Sequence, residues 1–337
     1  MDERDVEHER CEMKNQDRME VNDANANANG GTEQVTRRLF DLLSTEELDK
    51  VQIITSRVRA LDPDKLRLYH LHDLPGDPEA SHLRQQESRD RFDKLVFVSN
   101  WQYQQYRNEL AIPFNLQSCV IENGVDPIGW VEKTDPRTNP IRLIYTPTPH
   151  RGLELLVPVF EHLAEIFDFI ELDVYSSFNL YGWPDRDIPF QPLFDRCKAH
   201  PRIRYHGTVA PDVLRKAYQE AHIFAYPSIW QETSCRCLIE AMMAGCLCVH
   251  PNLGALPETS GGLTDSYNST DDANDHSQQF AIHLAQMINT LRTTDIWESE
   301  GLRARRITAH TSANLRFGWP TVIQKWKYTL ANLIAGS

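Results

Sequence analysis

The chain has 337 residues, of which 41% are hydrophobic and 25% charged, a composition typical of a globular protein long enough for two domains. The formal net charge of −13 argues against a nucleic-acid partner, because phosphate contacts need a concentrated basic face. No apolar run approaches the ~20 residues of a membrane span, and the acidic start lacks the features of a signal peptide. Seven cysteines, an odd number, fit free thiols, so we expect a cytoplasmic protein.

The first part of the chain predicts an acidic tail followed by a small α/β domain. Residues 1–30 are rich in acidic side chains and poor in large apolar ones, which predicts disorder. Apolar positions at helical spacing predict a helix beginning at Gly30-Gly31. Three strand-like runs follow, at 51–55, 66–72 and 95–99. We place this domain at 31–138.

The second part alternates strand-like and helical segments, which predicts a parallel sheet covered by helices. The segments are a strand at 141–145, a helix at 152–166, a strand at 170–176 and strand–helix–strand runs through 203–228. A polar loop at 264–277 precedes a helix at about 278–292. We place this domain at 139–315, with a terminal amphipathic helix at 316–337.

Two glutamates eight positions apart, Glu232 and Glu240, follow an apolar run that Pro227 ends. A helix at 237–244 is predicted to stop at Gly245. Eight helical positions span about 12 Å and return to nearly the same face, so both carboxylates would lie along one side of a helix. The end of a parallel strand is where open α/β sheets bind ligands. This span fits a sugar nucleotide whose diphosphate lies over the helix N-terminus.

The glutamate pair and its flanks resemble the E-x7-E signature of glycosyltransferase family 4 (group 1). Five further segments resemble motifs of that family and follow its order over roughly 94–260: KLVFVSNWQ (94–102), VIENGVD (120–126), RGLELLVPVF (151–160), IRYHGTVAPDVLRKAYQEAHIFAYPS (203–228) and NLGALPE (252–258). The resemblance implies the GT-B fold, in which two Rossmann-like domains face a cleft and a C-terminal helix crosses back to the first domain.

The resemblance also implies an activity. It implies a retaining, metal-independent glycosyltransferase of hexosyltransferase type, active in carbohydrate biosynthesis. Such an enzyme moves a sugar from a nucleotide diphosphate donor to a glycan, a lipid-linked acceptor or a small molecule. It needs no cofactor, and a lipid acceptor would bring peripheral membrane contact. The alternatives are a non-catalytic protein that binds sugar nucleotides or glycans and, with less support, an epimerase or phosphorylase of the same fold.

Roles for individual residues follow from the positions that match. Arg151 falls on the family's lysine, which neutralises the diphosphate, and arginine keeps that charge. Glu240 matches the carboxylate that binds the ribose hydroxyls, and Glu232 matches the one that contacts the donor sugar. His72 is placed like the histidine beside the reacting sugar, where it would hydrogen-bond a sugar hydroxyl. These assignments make Glu232, His72 and Arg151 the predicted catalytic residues.

Further donor-binding positions are expected on backbone and loops. The set is Thr233 and Ser234 as helix N-terminal amides, Gly30 and Gly31 near the donor phosphates, Gly207, and Glu258 in the G-x-x-P-E loop. For Gly30-Gly31, a flexible exit from the acidic tail is an equally good interpretation. For Glu258, the alternative is a brace for its loop.

The sequence departs from the family pattern in two ways. The first domain lacks the usual opening strand and several later strands, so it is smaller than in the family. The family binds the acceptor in this domain, so acceptor binding is the property most in question. The family's second cation, after the first strand of the second domain, has no counterpart, and His150 or Arg236 is the candidate substitute.

Two other patterns are better explained without a metal. The pairs Cys235/Cys237 and Cys246/Cys248 fit no common zinc spacing, and we expect buried thiols. The Asp62/Asp64 and Asp185/Asp187 pairs lie in loops that contain proline, where we expect turn residues.

Overall fold

The structure is a computed structural model that describes residues 30–113, 115, 117–293 and 300–336. The predicted acidic tail lies outside these residues except for Gly30. The chain divides into two compact units: unit 1 comprises Met1–Val125 with Phe317–Ser337, and unit 2 comprises Asp126–Arg316. The boundary therefore lies before the expected position at 138. One reason is that Lys133 in the intervening segment donates to backbone carbonyls of Tyr218 and Gln219, both in unit 2.

Unit 1 contains a four-stranded parallel sheet in the order β1-β2-β3-β4. Its strands are β1 Val51–Thr55, β2 Leu66–Leu71, β3 Lys94–Phe97 and β4 Ser118–Val120. Its helices are α1 Gly31–Leu42, α2 Thr45–Lys50, α3 Gln86–Arg89 and α4 Asn100–Leu110, with α12 Trp319–Ala335 from the end of the chain and a 3₁₀ turn at Ser81–Arg84. The prediction of a strand at 51–55 is confirmed.

Successive strand residues in unit 1 enter different hydrophobic clusters, as alternation of side chains across a sheet requires. Ile53, Leu68 and Val96 pack in a cluster with apolar residues of α1 and α12, including Trp326 and Leu330. Their neighbours Ile54, Tyr69 and Phe97 enter a second cluster with Tyr103 and Tyr106 of α4. Both faces of this sheet are therefore covered, as is usual for parallel sheets.

Unit 2 contains a six-stranded parallel sheet in the order β10-β9-β8-β5-β6-β7. The strands are β5 Ile141–Tyr145, β6 Ile170–Val174, β7 Ile203–Tyr205, β8 Ile223–Ala225, β9 Leu247–Pro251 and β10 Asp265–Tyr267. The α-helices are α5 Leu153–Ile166, α6 Gln191–Ala199, α7 Pro211–Glu220, α8 Arg236–Met243, α9 Leu256–Ser260, α10 Ala273–Thr293 and α11 Glu300–Phe317. Three 3₁₀ segments lie at Pro149–Arg151, Phe178–Tyr181 and Pro184–Phe190.

The strand order of unit 2 is that of a doubly wound Rossmann-type sheet. The chain places β6 and β7 on one side of β5, then returns to place β8, β9 and β10 on the other side. The direction of winding reverses between β5 and β8, and such a reversal opens a crevice at the carboxyl ends of the strands. We call residues 146–152, after β5, and 226–235, after β8, the switch-point loops.

Two elements differ from the sequence predictions. The segment expected to be a polar loop at 264–277 contains β10 and the first turn of α10, which begins at Ala273. The terminal helix begins at Trp319, because Gly318 separates it from α11 in an extended conformation. A β-bridge pairs Val125 with Gly318 in unit 1, and backbone hydrogen bonds flank it on both sides. This pairing holds the break between the two helices in place.

No described helix combines the length and the apolar character that crossing a bilayer requires.

The packing of α12 in unit 1 gives a direct stability test. Leu330 is fully buried, whereas Tyr328, two residues earlier on the same helix, is 72% exposed. We expect Leu330→Ala to lower the free energy of unfolding by about 2–5 kcal/mol, since it leaves a cavity in the core. The control Tyr328→Ala should change it by less than ~0.5 kcal/mol. Urea unfolding monitored by tryptophan fluorescence measures both, and equal effects would contradict the packing of α12.

Candidate active site

The two switch-point loops touch at a position where only glycine fits. Gly152, which follows the 3₁₀ turn Pro149–Arg151, has φ +122°, and a Cβ added there would lie 2.1 Å from the carbonyl oxygen of Pro227. A side chain would therefore force the loop after β5 away from the loop after β8. The glycine lets the backbone of one loop pack directly on the other, beside Arg151.

Arg151 and Glu232 form an ion pair across these loops. Nη1 of Arg151 donates to both carboxylate oxygens of Glu232, at 2.7 and 2.8 Å. The hydroxyl of Tyr226, fully buried, donates to Oε1 of the same carboxylate. The Glu232 side chain is 6% exposed and that of Arg151 is 25% exposed. The sequence prediction placed Arg151 and Glu232 in one site, and in unit 2 they are in contact.

Burial and charge act in opposite directions on the arginine. Burial alone would lower the pKa of Arg151, but the Glu232 carboxylate, with smaller effects of Tyr226 and Tyr181, raises it on balance. The pKa of Tyr226 is raised, first by burial and then by Glu232. Tyr226 therefore keeps its proton and remains a hydrogen-bond donor at neutral pH.

Glu232 lies in the loop before α8, which corrects the expectation that both glutamates occupy one helix. The helix begins at Arg236, with Cys235 as its N-cap. Local hydrogen bonds hold the preceding segment out of helical geometry: Trp230 N–H donates to Ser228 Oγ, and the Glu232 carbonyl accepts from Ala255 N–H. The helix N-terminal amides are thus those of the first turn from Arg236, and Thr233 and Ser234 precede the helix.

The loop that carries the G-x-x-P-E pattern braces Glu232 from the other side. Gly254 has φ +61°, and a Cβ there would lie 2.7 Å from both the backbone nitrogen and the backbone oxygen of Glu232. The same loop continues into α9, where Glu258 is half-buried. The backbone carbonyl of Glu258 accepts a hydrogen bond from Arg316. These contacts hold the G-x-x-P-E loop in place against the backbone of Glu232.

Glu240 lies on α8 and is already paired. Arg236, one turn earlier on the same helix, donates to its carboxylate at 2.8 Å, and both side chains are mostly buried. Among the buried atoms of the described residues that lack a partner, Arg151 contributes its Nε and Arg236 contributes none, which makes Arg236 the weaker candidate for binding a further anion. The i, i+4 spacing of the two residues explains the pair.

His150 is held between aromatic rings in unit 2 and is neutral. Its ring stacks on Phe178, with centroids 5.0 Å apart, and meets the ring of Trp230 at a steep angle, 5.1 Å away. Burial, with the nearby Arg151 charge, lowers the pKa of His150 to about 4. His150 therefore carries no charge at neutral pH in the ligand-free protein, which weakens it as the substitute for the second cation.

Three polar atoms of one switch-point loop are buried without a hydrogen-bond partner among the described residues. They are Thr148 Oγ1, His150 Nδ1 and Arg151 Nε. Buried polar atoms are usually paired, so such a group calls for a ligand or ordered water. The ring of Trp230, 39% exposed, lies 5.7 Å from the Arg151 guanidinium carbon. The two switch-point loops thus combine a cation, buried polar atoms without a partner and an accessible aromatic ring.

Several of these residues escaped the sequence analysis. Tyr226, Thr148, Phe178 and Trp230 were not predicted as site residues. The available signal was position: Tyr226 and Thr148 follow the two central strands within three residues. Phe178 comes from the segment after β6, and only the fold brings it against His150.

The predicted residues of unit 1 lie at two places in that unit. His72 comes directly after β2, and its Nε2 lies 3.2 Å from Nδ1 of His70, so the two rings are in contact on one side of the strand. Burial lowers the pKa of His72 to about 3, so its ring is neutral. Gly30 is the N-cap of α1 and Gly31 its first residue. Gly30 is therefore an ordered, buried position.

The remaining predicted positions belong to loops of unit 2. Gly207 follows β7 with φ +64° and is half-buried. Cys235, Cys237, Cys246 and Cys248 are free thiols, and the described residues include no cluster of three or more histidine, cysteine or carboxylate side chains able to hold a metal ion. Asp62 and Asp187 accept backbone hydrogen bonds within their own loops, from Asp64 and Phe178.

Comparison with known proteins connects this architecture to an enzyme class. Residues 141–290 match the family described as glycosyl transferases group 1. This part of the chain is therefore similar to group 1 glycosyltransferases. It contains the switch-point loops, with Arg151 and Glu232. A search of curated protein sequences found no match.

Solved structures share the fold across both units. The HepE protein of Anabaena in complex with UDP-glucose is 20% identical, with a TM-score of 0.59, over 80% of this chain and 72% of that one. A glycosyltransferase from Rickettsia africae is 16% identical, with a TM-score of 0.62, over 91% and 82%. The pneumococcal O-GlcNAc transferase GtfA, with UDP and GlcNAc, is 14% identical, with a TM-score of 0.63, over 89% and 60%. The expected α/β class and GT-B fold are confirmed.

The brace on Glu232 can be tested with two glycines that share a backbone conformation. Gly254 and Gly262 have φ of +61° and +76°, but a Cβ at Gly262 would meet nothing within 4 Å. We expect Gly262→Ala to cost about 1–2 kcal/mol, the strain of a left-handed residue. Gly254→Ala should cost clearly more, because it adds overlap with the Glu232 backbone. Denaturant unfolding compares them, and equal losses would contradict the close contact.

Proposed function

We propose that the chain is a retaining, metal-independent glycosyltransferase that moves a sugar from a nucleotide diphosphate donor to a glycan, lipid-linked or small-molecule acceptor. The observation that carries the proposal is the Arg151–Glu232 pair at the switch point, beside three unpartnered polar atoms. Supporting it are the family match over 141–290 and the shared fold with proteins whose structures contain UDP, UDP-glucose or GlcNAc.

Arg151 would stabilise the departing diphosphate. Nη1 is engaged by Glu232, while Nε lacks a partner, so the guanidinium keeps donor capacity toward an anion. A guanidinium can bind two phosphate oxygens at once, and its charge acts strongly where burial excludes water. Thr148 Oγ1 and the neutral His150 ring lie on the same loop and would add hydrogen bonds in place of a second cation.

Glu232 would contact the donor sugar. Arg151 and Tyr226 both donate to its carboxylate, which fixes the side chain before any ligand arrives. A preorganised group does not have to be reoriented during the reaction, which is the main advantage of such sites. On α8, Glu240 would accept hydrogen bonds from the ribose hydroxyls, with Arg236 holding it in place.

The reaction would break the bond between the anomeric carbon and a diphosphate oxygen and form a bond from that carbon to the acceptor oxygen on the same face. The acceptor hydroxyl proton would leave with the diphosphate, whose charge Arg151 balances. Unit 1 would supply a hydrogen bond from His72 to a sugar hydroxyl, and Gly30 and Gly31 would approach the phosphates. In unit 2, Gly207 and Glu258 complete the proposed donor set.

Substitution of the ion pair tests the proposal. Arg151→Gln and Glu232→Gln should each lower kcat for sugar transfer by about 10²–10³, the usual effect of removing one electrostatic contact to a transition state. Arg196→Gln is a matched control, because Arg196 forms an exposed ion pair with Glu161 on another surface of unit 2. The kcat of Arg196→Gln should stay within about twofold of the kcat of the parent protein. Near-parental rates for both pair variants would refute the site.

Metal independence has its own test. Donor turnover is measured after dialysis against a chelator and again after Mg²⁺ or Mn²⁺ is restored. We expect the rates with and without metal to agree within about twofold, since Arg151, and not a metal ion, balances the charge of the leaving diphosphate. Activity that disappears with the metal and returns with it would place the enzyme in a different mechanistic class.

A second candidate function is binding without catalysis. The small, four-stranded sheet of unit 1 favours it, and so does the neutral state of His150, which leaves Arg151 as the cation of the described switch-point loops. Calorimetry would then detect nucleotide-sugar binding that Arg151→Gln weakens, with no product from any acceptor in a broad panel. Measured transfer to one acceptor would end this alternative.

A further inference from the structure

A buried histidine, His70, contacts the candidate catalytic histidine of unit 1. His70 is 1% exposed, its Nδ1 lies 3.2 Å from Nε2 of His72, and the ring centroids are 4.2 Å apart. The other nitrogen of His70, Nε2, is buried and has no hydrogen-bond partner in the described structure. The far side of His70 meets the ring of Trp326 on α12, 5.0 Å away and nearly perpendicular.

Both rings are neutral. At their contact, one of the two facing nitrogens must therefore carry a proton and the other must accept it. The pKa of His70 is lowered well below its usual value, mainly by burial and then by His72, and burial also lowers that of His72. A neutral imidazole has one N–H and one bare nitrogen. Either His70 Nδ1–H donates to His72 Nε2, or His72 Nε2–H donates to His70 Nδ1. The two arrangements differ in whether the buried Nε2 of His70, which lacks a partner in both, carries a proton.

The orphaned nitrogen of His70 separates the two arrangements. If His72 donates, His70 carries its proton on Nε2, which buries an N–H without an acceptor at a cost of about 1–3 kcal/mol. A contact of that N–H with the Trp326 ring would recover only about 0.5–1 kcal/mol. If His70 donates, the buried atom is a bare acceptor, and orphaned acceptors are tolerated more often than orphaned N–H groups.

We infer that His70 is a positioning residue: it donates its Nδ1–H to Nε2 of His72 and holds His72 in the tautomer that carries its proton on Nδ1. Trp326 of the terminal helix holds the His70 ring in turn. The functional part rests on the proposed function, in which His72 donates a hydrogen bond to a sugar hydroxyl. Under this inference that donor is Nδ1–H, because Nε2 is occupied by His70.

The tautomer can be read without substrate. Nitrogen-15 NMR of the full chain, labelled at its histidine rings, separates protonated from bare ring nitrogens. The His72 signals are assigned by their loss in His72→Gln. We expect a protonated Nδ1 and a bare Nε2 for His72 at neutral pH. A protonated Nε2 would overturn the inference whatever the enzyme's activity proves to be.

Kinetics tests the positioning role. His70→Asn keeps an amide N–H close to the place of Nδ1–H, whereas His70→Leu removes the donor with a side chain of similar size. We expect His70→Leu to lower kcat at least about tenfold with little change in the donor KM, and His70→Asn to recover most of that loss. His162→Asn, at an exposed histidine of α5, is the control for the substitution itself and should leave kcat unchanged.

The outcomes distinguish this inference from the proposed function. Equal kcat values for the parent protein, His70→Asn and His70→Leu would overturn the positioning role, provided that Glu232→Gln loses activity. Activity retained in Glu232→Gln would refute the proposed donor site and leave the NMR result standing as the test of the tautomer. If His70→Leu fails to fold by circular dichroism, His70→Asn with the NMR assignment decides alone. A kcat loss in His70→Asn with an unchanged His72 tautomer then counts against the inference.

Discussion

The candidate site depends on one buried ion pair, Arg151 with Glu232. Removing both charges from water is costly, and such a pair is stable only with good geometry and further hydrogen bonds. Here Tyr226 supplies one such bond, and the backbones around Gly152 and Gly254 pack so closely that no side chain fits. The pair is therefore not evidence of stability in itself. The surrounding loops hold this costly ion pair in one fixed geometry, and such an arrangement is typical of a functional site.

The strand pattern was predictable, but the loops were not. Val51–Thr55 and Ile141–Tyr145 are strands as predicted, because short apolar runs bounded by polar residues are a local signal. Helical spacing of Glu232 and Glu240 failed as an argument because Glu232 is held by Ala255 and Tyr226, from positions outside the helix. The two glutamates belong to different elements. Glu232 lies in a loop fixed by tertiary contacts, and Glu240 belongs to a helix that starts at Arg236.

Long-range contacts also explain the site residues that escaped prediction. The alternation of His70 and His72 was visible in the strand, and their contact follows from it. Nothing near them in the chain points to Trp326, which arrives from α12 about 250 residues later. His150 was considered as a cation because it follows the first strand of the second domain, but it packs against the rings of Phe178 and Trp230, and burial keeps it neutral. Charge state is a property of the folded environment, so sequence alone cannot assign it.

The groups assigned to the proposed reaction differ chemically between the two units. Unit 2 supplies a fixed positive charge at Arg151 and fixed carboxylates at Glu232 and Glu240, each already paired. Unit 1 supplies neutral imidazoles, because burial prevents His70 and His72 from taking up a proton. This division suits transfer of a glycosyl group with oxocarbenium character. A second cation beside the developing positive sugar would oppose the transition state, whereas a neutral donor to a sugar hydroxyl would not. Under the proposed mechanism, the neutral state of the two histidines would avoid a positive charge beside the sugar.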